Sequence, residues 1–275
     1  FEKTADERRE VASITKLMTA LLVLEALDRE EIALTDSVQI SPRAAAMKGS
    51  QALLDASAVY PLEDLLRTTI MASANDSAVA LSEYIAGSEE NFVDRMNRRA
   101  AELGMTNTNY VNCTGYPQSG QYTTARDVCR LCCEIAKHPR YNQYASVWID
   151  KLTHPGGRVT DLTNANRLVR FYEGCDGYKT GSTDAAKYCL AATAEKNGMR
   201  LVAIVLGTPV SQTRFNEARQ MLDYGFATYR RVVIANKGDL LGQNVEVRGG
   251  SAESVPLALG SGLSMLLKNG QQSGL

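Results

Sequence analysis

The sequence predicts a mixed α/β (α+β) fold: an antiparallel sheet flanked by helices, with a helical block inserted among the strands and a small β-rich module at the C-terminal end. Apolar residues recur at helical spacing through the first half of the chain. Short apolar segments separated by turns follow from about residue 147, and alternating segments begin near residue 232. We therefore expect two domains, over residues 1–231 and 232–275.

The helices of the first half are predicted from apolar spacing and end signals. In the earliest one, leucines recur on a single face. Pro61 fits a first helical position, Gly104 a helix C-terminus, and Thr124 a capping residue. The predicted ranges are residues 12–28, 61–70, 76–86, 92–103 and a stretch after Thr124.

The strands are predicted from short apolar runs bounded by turn residues. Asn197-Gly198 lies between two such runs and predicts a tight hairpin, and a closing helix is expected over residues 211–229. The predicted strands cover residues 147–152, 158–162, 177–183, 188–195 and 200–207, then 232–235, 243–248 and 254–259 in the tail.

Composition excludes several classes of function. The formal net charge is −1, so no basic field indicates a nucleic-acid partner, and no apolar run reaches the length of a membrane-spanning helix. The chain opens on Phe1 rather than Met, which we interpret as a processed or trimmed start.

Six cysteines raise the question of disulfides or a metal site. Cys129, Cys132 and Cys133 recur at the i, i+3, i+4 spacing of a helix face, which favours buried apolar thiols over a metal or redox role. We predict no metal and no cofactor. An even count leaves disulfides open, including one between Cys175 and Cys189.

The first of three short motifs, Ser13-Ile14-Thr15-Lys16, can supply a nucleophile and its base. The two functional side chains are three residues apart at a helix start and share a face. A serine hydroxyl needs a neighbouring base, and lysine can be that base if burial and a nearby cation, here Lys179, depress its pKa.

The second and third motifs are Ser73-Ala74-Asn75 and Lys179-Thr180-Gly181. The Ser73 hydroxyl can relay a proton to a leaving amine, and the Asn75 amide can hold the lysine and the substrate. On a strand, Lys179 and Thr180 can hold a carboxylate, and glycine lets a ligand approach closely. Each residue alone is typical of a cap, a turn or a surface. Only the three motifs together, in this order, indicate one site.

That ordered set resembles the signature of the penicillin-binding proteins, specifically the low-molecular-mass D-alanyl-D-alanine carboxypeptidases. The similarity extends around the motifs and covers roughly residues 1–232, with the tail matching more loosely. It implies a β-lactamase/transpeptidase-like fold. The stretches that carry it include residues 3–9, 12–20, 73–78, 103–108, 123–127 and 176–183.

The resemblance also implies catalytic roles. Ser13 is the nucleophile that forms an acyl-enzyme with a D-Ala-D-Ala peptide, and Lys16 is its base. Ser73 and Asn75 assist proton transfer and positioning. D-Alanine leaves first, and water then releases the shortened peptide, while β-lactams acylate the same serine and leave slowly.

Substrate binding, partners and location follow from the same resemblance. Lys179, Thr180 and Arg214 are expected to hold the terminal carboxylate, and the N–H groups of Ser13 and Ser182 to form the oxyanion hole. The implied partners are a peptidoglycan stem peptide and inhibitory β-lactams, outside the cytoplasm in the cell envelope, with peripheral membrane anchoring through residues beyond this sequence. The substrate-binding set is Lys179, Thr180, Gly181, Ser182 and Arg214.

Some positions depart from the family pattern. Val11 stands where proline is usual, Ala74 where glycine is usual, and Ser182 where histidine is frequent. We expect little loss at Ser182, since only its N–H is needed. The strands that normally come before Phe1 are missing from the sequence, so we expect the central sheet to lack one or two strands.

Three alternatives use the same motifs. A transpeptidase or endopeptidase would share the acyl-enzyme and differ in acceptor, which depends on pocket shape. A class A β-lactamase would need a glutamate in an E-x-x-L-N loop between Asn75 and Lys179, and no such sequence is present. An inactive cell-wall-peptide binding module is disfavoured by the intact motif set.

Overall fold

The computed structural model describes residues 1–271. Its contacts divide the chain into two units, each described by itself. The first comprises Phe1–Glu195 and Arg200–Leu222, and the second Lys196–Met199 and the chain from Asp223 onward. The domain boundary at residue 232 stays a prediction.

Helices dominate the first half of the chain, as the apolar spacing predicts. A 3-10 turn, Ala12–Thr15, leads directly into the first of them. The helices are α1 (Lys16–Asp28), α2 (Pro42–Ala45), α3 (Leu62–Met71), α4 (Asn75–Ala86), α5 (Glu89–Glu102), α6 (Ala125–Ile135), α7 (Pro139–Ala145), α8 (Leu168–Phe171) and α9 (Ser211–Thr228).

The strands pair in antiparallel fashion wherever a register is defined. The largest sheet has the order β5-β6-β7, and the other four are two-stranded. The strands are β1 (Ser37–Gln39), β2 (Val59–Pro61), β3 (Ile149–Thr153), β4 (Val159–Thr163), β5 (Cys175–Thr183), β6 (Lys187–Lys196), β7 (Met199–Thr208), β8 (Tyr229–Ala235), β9 (Leu240–Glu246), β10 (Ser254–Ala258) and β11 (Leu263–Lys268).

Local end signals place most of these elements where the sequence predicts them. The Thr124 hydroxyl accepts a hydrogen bond from the Asp127 N–H and caps α6. Asn197 and Gly198 both have positive φ, 52° and 70°, as a tight hairpin between β6 and β7 requires. Pro61 is the one end signal misplaced: its backbone is extended, with ψ of 141°, so it ends β2 and α3 begins one residue later.

Helix α1 forms the centre of the core. It is apolar on nearly every side, and Leu17, Leu21 and Leu24 are each at most 1% exposed. A helix that is hydrophobic all round must be buried. Helices α3, α4 and α6 pack around it. The residues at its N-terminal end are therefore held away from water.

All six cysteines carry free thiols. Cys132 is buried, but Cys133 is exposed and Cys129 is half-buried, so the prediction that the three share a buried face is wrong. The buried face of α6 has the predicted i, i+3, i+4 spacing, but it begins one residue earlier than expected. It consists of Val128, Leu131, Cys132 and Ile135. The other two thiols fall at its edge.

The second unit contains two antiparallel strand pairs, β8–β11 and, between them in the sequence, β9–β10. Strand β11 was not expected from the sequence. Its side chains, and those of the other three strands, are exposed or half-buried. Among residues 1–271, no helix has the length and apolar character needed to cross a bilayer.

Candidate active site

The first motif lies at the entrance to α1. Lys16 Nζ is 3.0 Å from Ser13 Oγ and donates to the carbonyl oxygen of Thr114 at 2.7 Å. Ser13 is half-buried, whereas Lys16 is 1% exposed. Ala12, directly before the serine, has a φ of 50°, a sparsely populated conformation of the kind that concentrates at functional sites.

A tight loop fixes the carbonyl that binds Lys16. The Asn112 side chain accepts hydrogen bonds from the N–H groups of Thr114 and Gly115, at 3.2 and 2.7 Å. Gly115 has a φ of 78°, and a Cβ there would lie 1.8 Å from the Ala12 carbonyl oxygen. Only glycine fits this approach. Sequence reasoning missed this loop, because a backbone carbonyl has no residue signature; the lone signal was Gly115.

Burial controls the charge of Lys16. Desolvation lowers its pKa to about 7, although the nearby Cys113 and Asp76 oppose the shift. Burial also lowers the pKa of Lys179 well below its usual value, and repulsion from Lys16 and Arg214 adds to that effect. Two amines in one buried site repel each other when both are protonated, so protonation of one disfavours protonation of the other.

The third motif is brought against the first by strand β5. A Cβ on Gly181 would lie 2.2 Å from the Val11 carbonyl oxygen, so the strand touches the turn that carries Ser13. Lys179 and Thr180 are 2% and 6% exposed, and Lys179 Nζ has one long contact, 3.3 Å, to the Thr180 carbonyl. Ser182, the next residue of the strand after Gly181, is exposed.

Arg214 of α9 lies behind this strand. Its Nη1 donates to the carbonyl oxygens of Gly181 and Cys189, at 3.0 and 3.2 Å, and Nη2 donates to Ser211 at 3.3 Å. The guanidinium therefore braces β5 against β6. Its Nε is buried without a partner among the described residues.

The second motif occupies the junction between α3 and α4. Ser73 is 5% exposed and has a φ of 63°, while Asn75 is the first residue of α4. Asn75 donates from Nδ2 to the Lys48 carbonyl at 2.5 Å and from its N–H to the Ser50 carbonyl at 2.7 Å. Its Oδ1 is buried and unpartnered within residues 1–271. An acceptor left in this way can receive an N–H from a ligand.

The fold brings the first and third motifs into contact, and it packs α4, which begins with Asn75, against α1. The contact of Gly181 with the Ser13 turn joins the first and third motifs. The charge of Asp76, beside Asn75, acts on Lys16 and so connects the second. In the described part of the chain, no group of three or more His, Cys, Asp or Glu side chains has the arrangement of a metal site.

Comparison with known families decides the relationship. The sequence profile of the D-alanyl-D-alanine carboxypeptidase family, peptidase S11, matches residues 1–210. The chain belongs to this family. DacF of Bacillus subtilis, named a D-alanyl-D-alanine carboxypeptidase, is 37% identical over 271 residues, covering 98% of this chain and 69% of DacF.

Solved structures of the family confirm the fold. Penicillin binding protein 5 from Haemophilus influenzae matches with a TM-score of 0.83 and 31% identity, over 98% of this chain and 78% of that protein. Penicillin-binding protein D2 from Listeria monocytogenes, solved in an ampicillin-bound form, matches with a TM-score of 0.72 and 31% identity, over 82% and 91% of the two chains. The predicted transpeptidase/β-lactamase-like fold and the predicted class of serine peptidase are both confirmed.

Proposed function

We propose that this family member is a D-Ala-D-Ala carboxypeptidase that removes the terminal D-alanine from peptidoglycan stem peptides through an acyl-enzyme on Ser13. The observation that carries the proposal is the buried Lys16 amine, 3.0 Å from Ser13 Oγ and with a pKa lowered to about 7. Such an amine is neutral in about half the molecules at neutral pH, as a general base requires.

In the acylation step, Ser13 Oγ attacks the carbonyl carbon between the two D-alanines, and its proton passes to Lys16 Nζ. The hydrogen bond to the Thr114 carbonyl keeps one amine N–H occupied and directs the lone pair at the serine. We assign the oxyanion hole to the N–H groups of Ser13 and Ser182. The leaving amine takes a proton relayed through Ser73 as the C–N bond breaks.

Recognition of the terminal carboxylate falls to Lys179, Thr180 and Arg214, with Gly181 giving room for the peptide backbone. An anion beside Lys179 favours its protonated form, so substrate binding raises the pKa of that amine and supplies the cation. That cation keeps Lys16 neutral. We assign to Asn75 Oδ1, which is buried without a partner among the described residues, the role of accepting an N–H of the substrate.

Deacylation uses water, activated again by Lys16, and returns the free serine. β-Lactams acylate the same oxygen, but their leaving group stays attached, so the acyl-enzyme persists. Because stem peptides of the cell wall lie outside the cytoplasm, we assign the enzyme to the cell envelope. The membrane anchor and the division into a catalytic domain over residues 1–231 and a β-rich domain over residues 232–275 are parts of this proposal.

A fluorescent penicillin tests the proposal, together with D-alanine release from a diacyl-D-Ala-D-Ala peptide. We expect covalent labelling of the native protein, no labelling of Ser13→Ala, and unchanged labelling of Ser251→Ala, an exposed serine of the second unit. Labelling of Ser13→Ala would refute the assignment. Labelling without D-alanine release would favour a binding module, and product formation only with an added amine acceptor would favour a transpeptidase.

A further inference from the structure

The segment of residues 48–55 lies over the second motif and has no regular secondary structure. At its near end it contacts Asn75, through the carbonyl oxygens of Lys48 and Ser50. In its middle, the Asp76 carboxylate accepts from the N–H groups of Ala52 and Leu54, at 3.0 and 3.1 Å. The segment is therefore held on α4 by two adjacent residues of the site.

The far end of the 48–55 segment is held by the hairpin of β3 and β4. Arg158 Nη2 donates to the Leu53 carbonyl at 2.7 Å and to Asp55 Oδ1 at 2.8 Å. The same nitrogen is 3.1 Å from His154 Nδ1, and Tyr60 Oη is 2.8 Å from that atom. We call His154, Arg158, Asp55 and Tyr60 the His154 cluster.

Arg158 Nη2 has two N–H groups and three possible acceptors near it: the Leu53 carbonyl, Asp55 Oδ1 and His154 Nδ1. We assign a shared N–H to Nδ1, because a guanidinium only donates, and Nε2 then carries the proton. Consistent with this, Nε2 lies 2.8 Å from Thr160 Oγ1, which can accept. His154 is neutral here, and its side chain is 0% exposed.

A second proton on His154 would break the contact with Arg158. It would place an N–H on Nδ1 that faces the N–H of Arg158 and would set one cation against another, whereas the Tyr60 hydroxyl can accept from that N–H. The charged and titratable groups facing the ring are Arg158, Asp55, Asp76 and Tyr60. Burial and Arg158 lower the pKa of His154, while the two carboxylates oppose them. Together these effects lower the pKa of His154, so the ring stays neutral until the solution is acidic.

We propose that His154 is a positioning residue for the active site: neutral, it holds the 48–55 segment against Asn75 and Asp76, and protonated, it releases that segment. The coupling runs from the imidazole through Arg158 to the Leu53 carbonyl and Asp55, and from Leu54 to Asp76. Its effect on catalysis rests on the proposed function, but its effect on the segment does not.

The chain offers a matched pair of variants, because it has only two histidines. His154→Asn keeps an acceptor near the place of Nδ1 and cannot be protonated. His138→Asn is the control; that ring contacts Asp28, 2.7 Å away, at the start of α7. The readout is amide hydrogen exchange at Ala52 and Leu54, corrected for intrinsic rates, between pH 7 and pH 5.

We expect protection of these two amides to fall about fivefold or more toward pH 5 in the native protein and in His138→Asn, and to stay level in His154→Asn. The rate of penicillin acylation, as the ratio of pH 5 to pH 7, should be higher in His154→Asn than in the other two. An equal loss of protection in all three proteins would overturn the proposal. Absence of acylation at every pH would refute the proposed function and leave the exchange result standing.

A titration by NMR tests the assignment without the His154→Asn variant, so the result does not depend on whether that variant folds. In His138→Asn, the single remaining imidazole belongs to His154, and its native surroundings are intact. We expect a pKa below 6.5 and the Nε2–H tautomer. A pKa above 6.5, or the Nδ1–H tautomer, would contradict the assignment on which the release mechanism depends.

Discussion

At the scale of single residues, the burial of Lys16 explains how its amine can act as the proposed base. The same burial deprives the amine of hydration, which costs free energy of folding. The start of α1 lies in the core, so an amine there loses its hydration and its pKa falls to about 7. The same amine contacts Ser13 and the Thr114 carbonyl. A surface lysine with the same spacing from a serine would stay charged and could not accept its proton.

The pH dependence of acylation follows from that lowered pKa. Only neutral Lys16 can accept the serine proton, so the second-order rate constant for penicillin acylation should rise with pH and level off above about 7. Stopped-flow measurement from pH 5 to 9 checks this. In Lys16→Arg this rate constant should be lower by at least about a hundredfold, because an arginine stays charged throughout the pH range. A rate independent of pH would show that another base acts.

Arg214 separates peptide turnover from β-lactam labelling. Arg214→Ala removes a cation near the carboxylate site as well as the brace on Gly181 and Cys189, so both reactions should slow. Both ligands lose a charge-assisted hydrogen bond to their carboxylate, but the strained β-lactam ring still drives acylation, so peptide turnover should fall more, by roughly tenfold beyond labelling. The control is Arg219→Ala on the same helix, because that guanidinium donates to the Phe171 carbonyl and lies over the ring of Tyr172. Equal losses would remove Arg214 from carboxylate binding.

At the scale of elements, helix ends follow local sequence rules closely. Ser88 caps α5 by accepting from the Asn91 N–H at 3.2 Å, and Thr124 caps α6. The identity of Thr124 predicts where α6 begins. Ser88 was not recognised as a cap, and the helix expected from residue 92 begins at Glu89. Pro61 is the exception, because a proline is equally suited to the extended residue before a helix.

Capping of α5 gives a graded stability test. Ser88→Ala should lower the free energy of unfolding by about 1 kcal/mol, whereas Ser88→Gly should lower it by only a few tenths. Urea denaturation followed by the fluorescence of Trp148, the single tryptophan, measures the difference. Identical losses for the two variants would show that the cap contributes little.

Other elements could not be predicted, because tertiary contacts rather than local patterns create them. The three-residue strands β1 and β2 exist through their pairing with each other. Strand β11 depends on a distant partner, β8. The three candidate motifs are visible as residue types in the sequence, but the Asn112–Gly115 loop and the 48–55 segment act mainly through backbone groups. Only the folded chain reveals them.

At the scale of the whole molecule, buried bases make stability depend on pH. Lys16, Lys179 and His154 have pKa values lowered by folding, so the unfolded chain binds more protons than the folded one. Stability then rises with pH. For His154 the rise ends near its unfolded pKa of about 6.5, and for the lysines near about 10.4.

This linkage predicts the effect of removing the Lys16 amine. Lys16→Met should unfold at higher urea concentration than the native protein at pH 7, because the cost of keeping an amine neutral, about 1.4 kcal/mol per pKa unit, is gone. Its stability should also rise less steeply between pH 7 and 9. Trp148 fluorescence at several pH values measures both. A variant less stable than the native protein at pH 7 would show that the hydrogen bonds of Lys16 outweigh its desolvation.

Peptide mapping of the penicillin-treated protein by mass spectrometry tests the central claim most directly. The account predicts one adduct with the mass of the intact antibiotic, located on Ser13, in a sample that has lost its D-alanine-releasing activity in proportion to the adduct. An adduct on any other residue, or full inhibition with Ser13 unmodified, would contradict it.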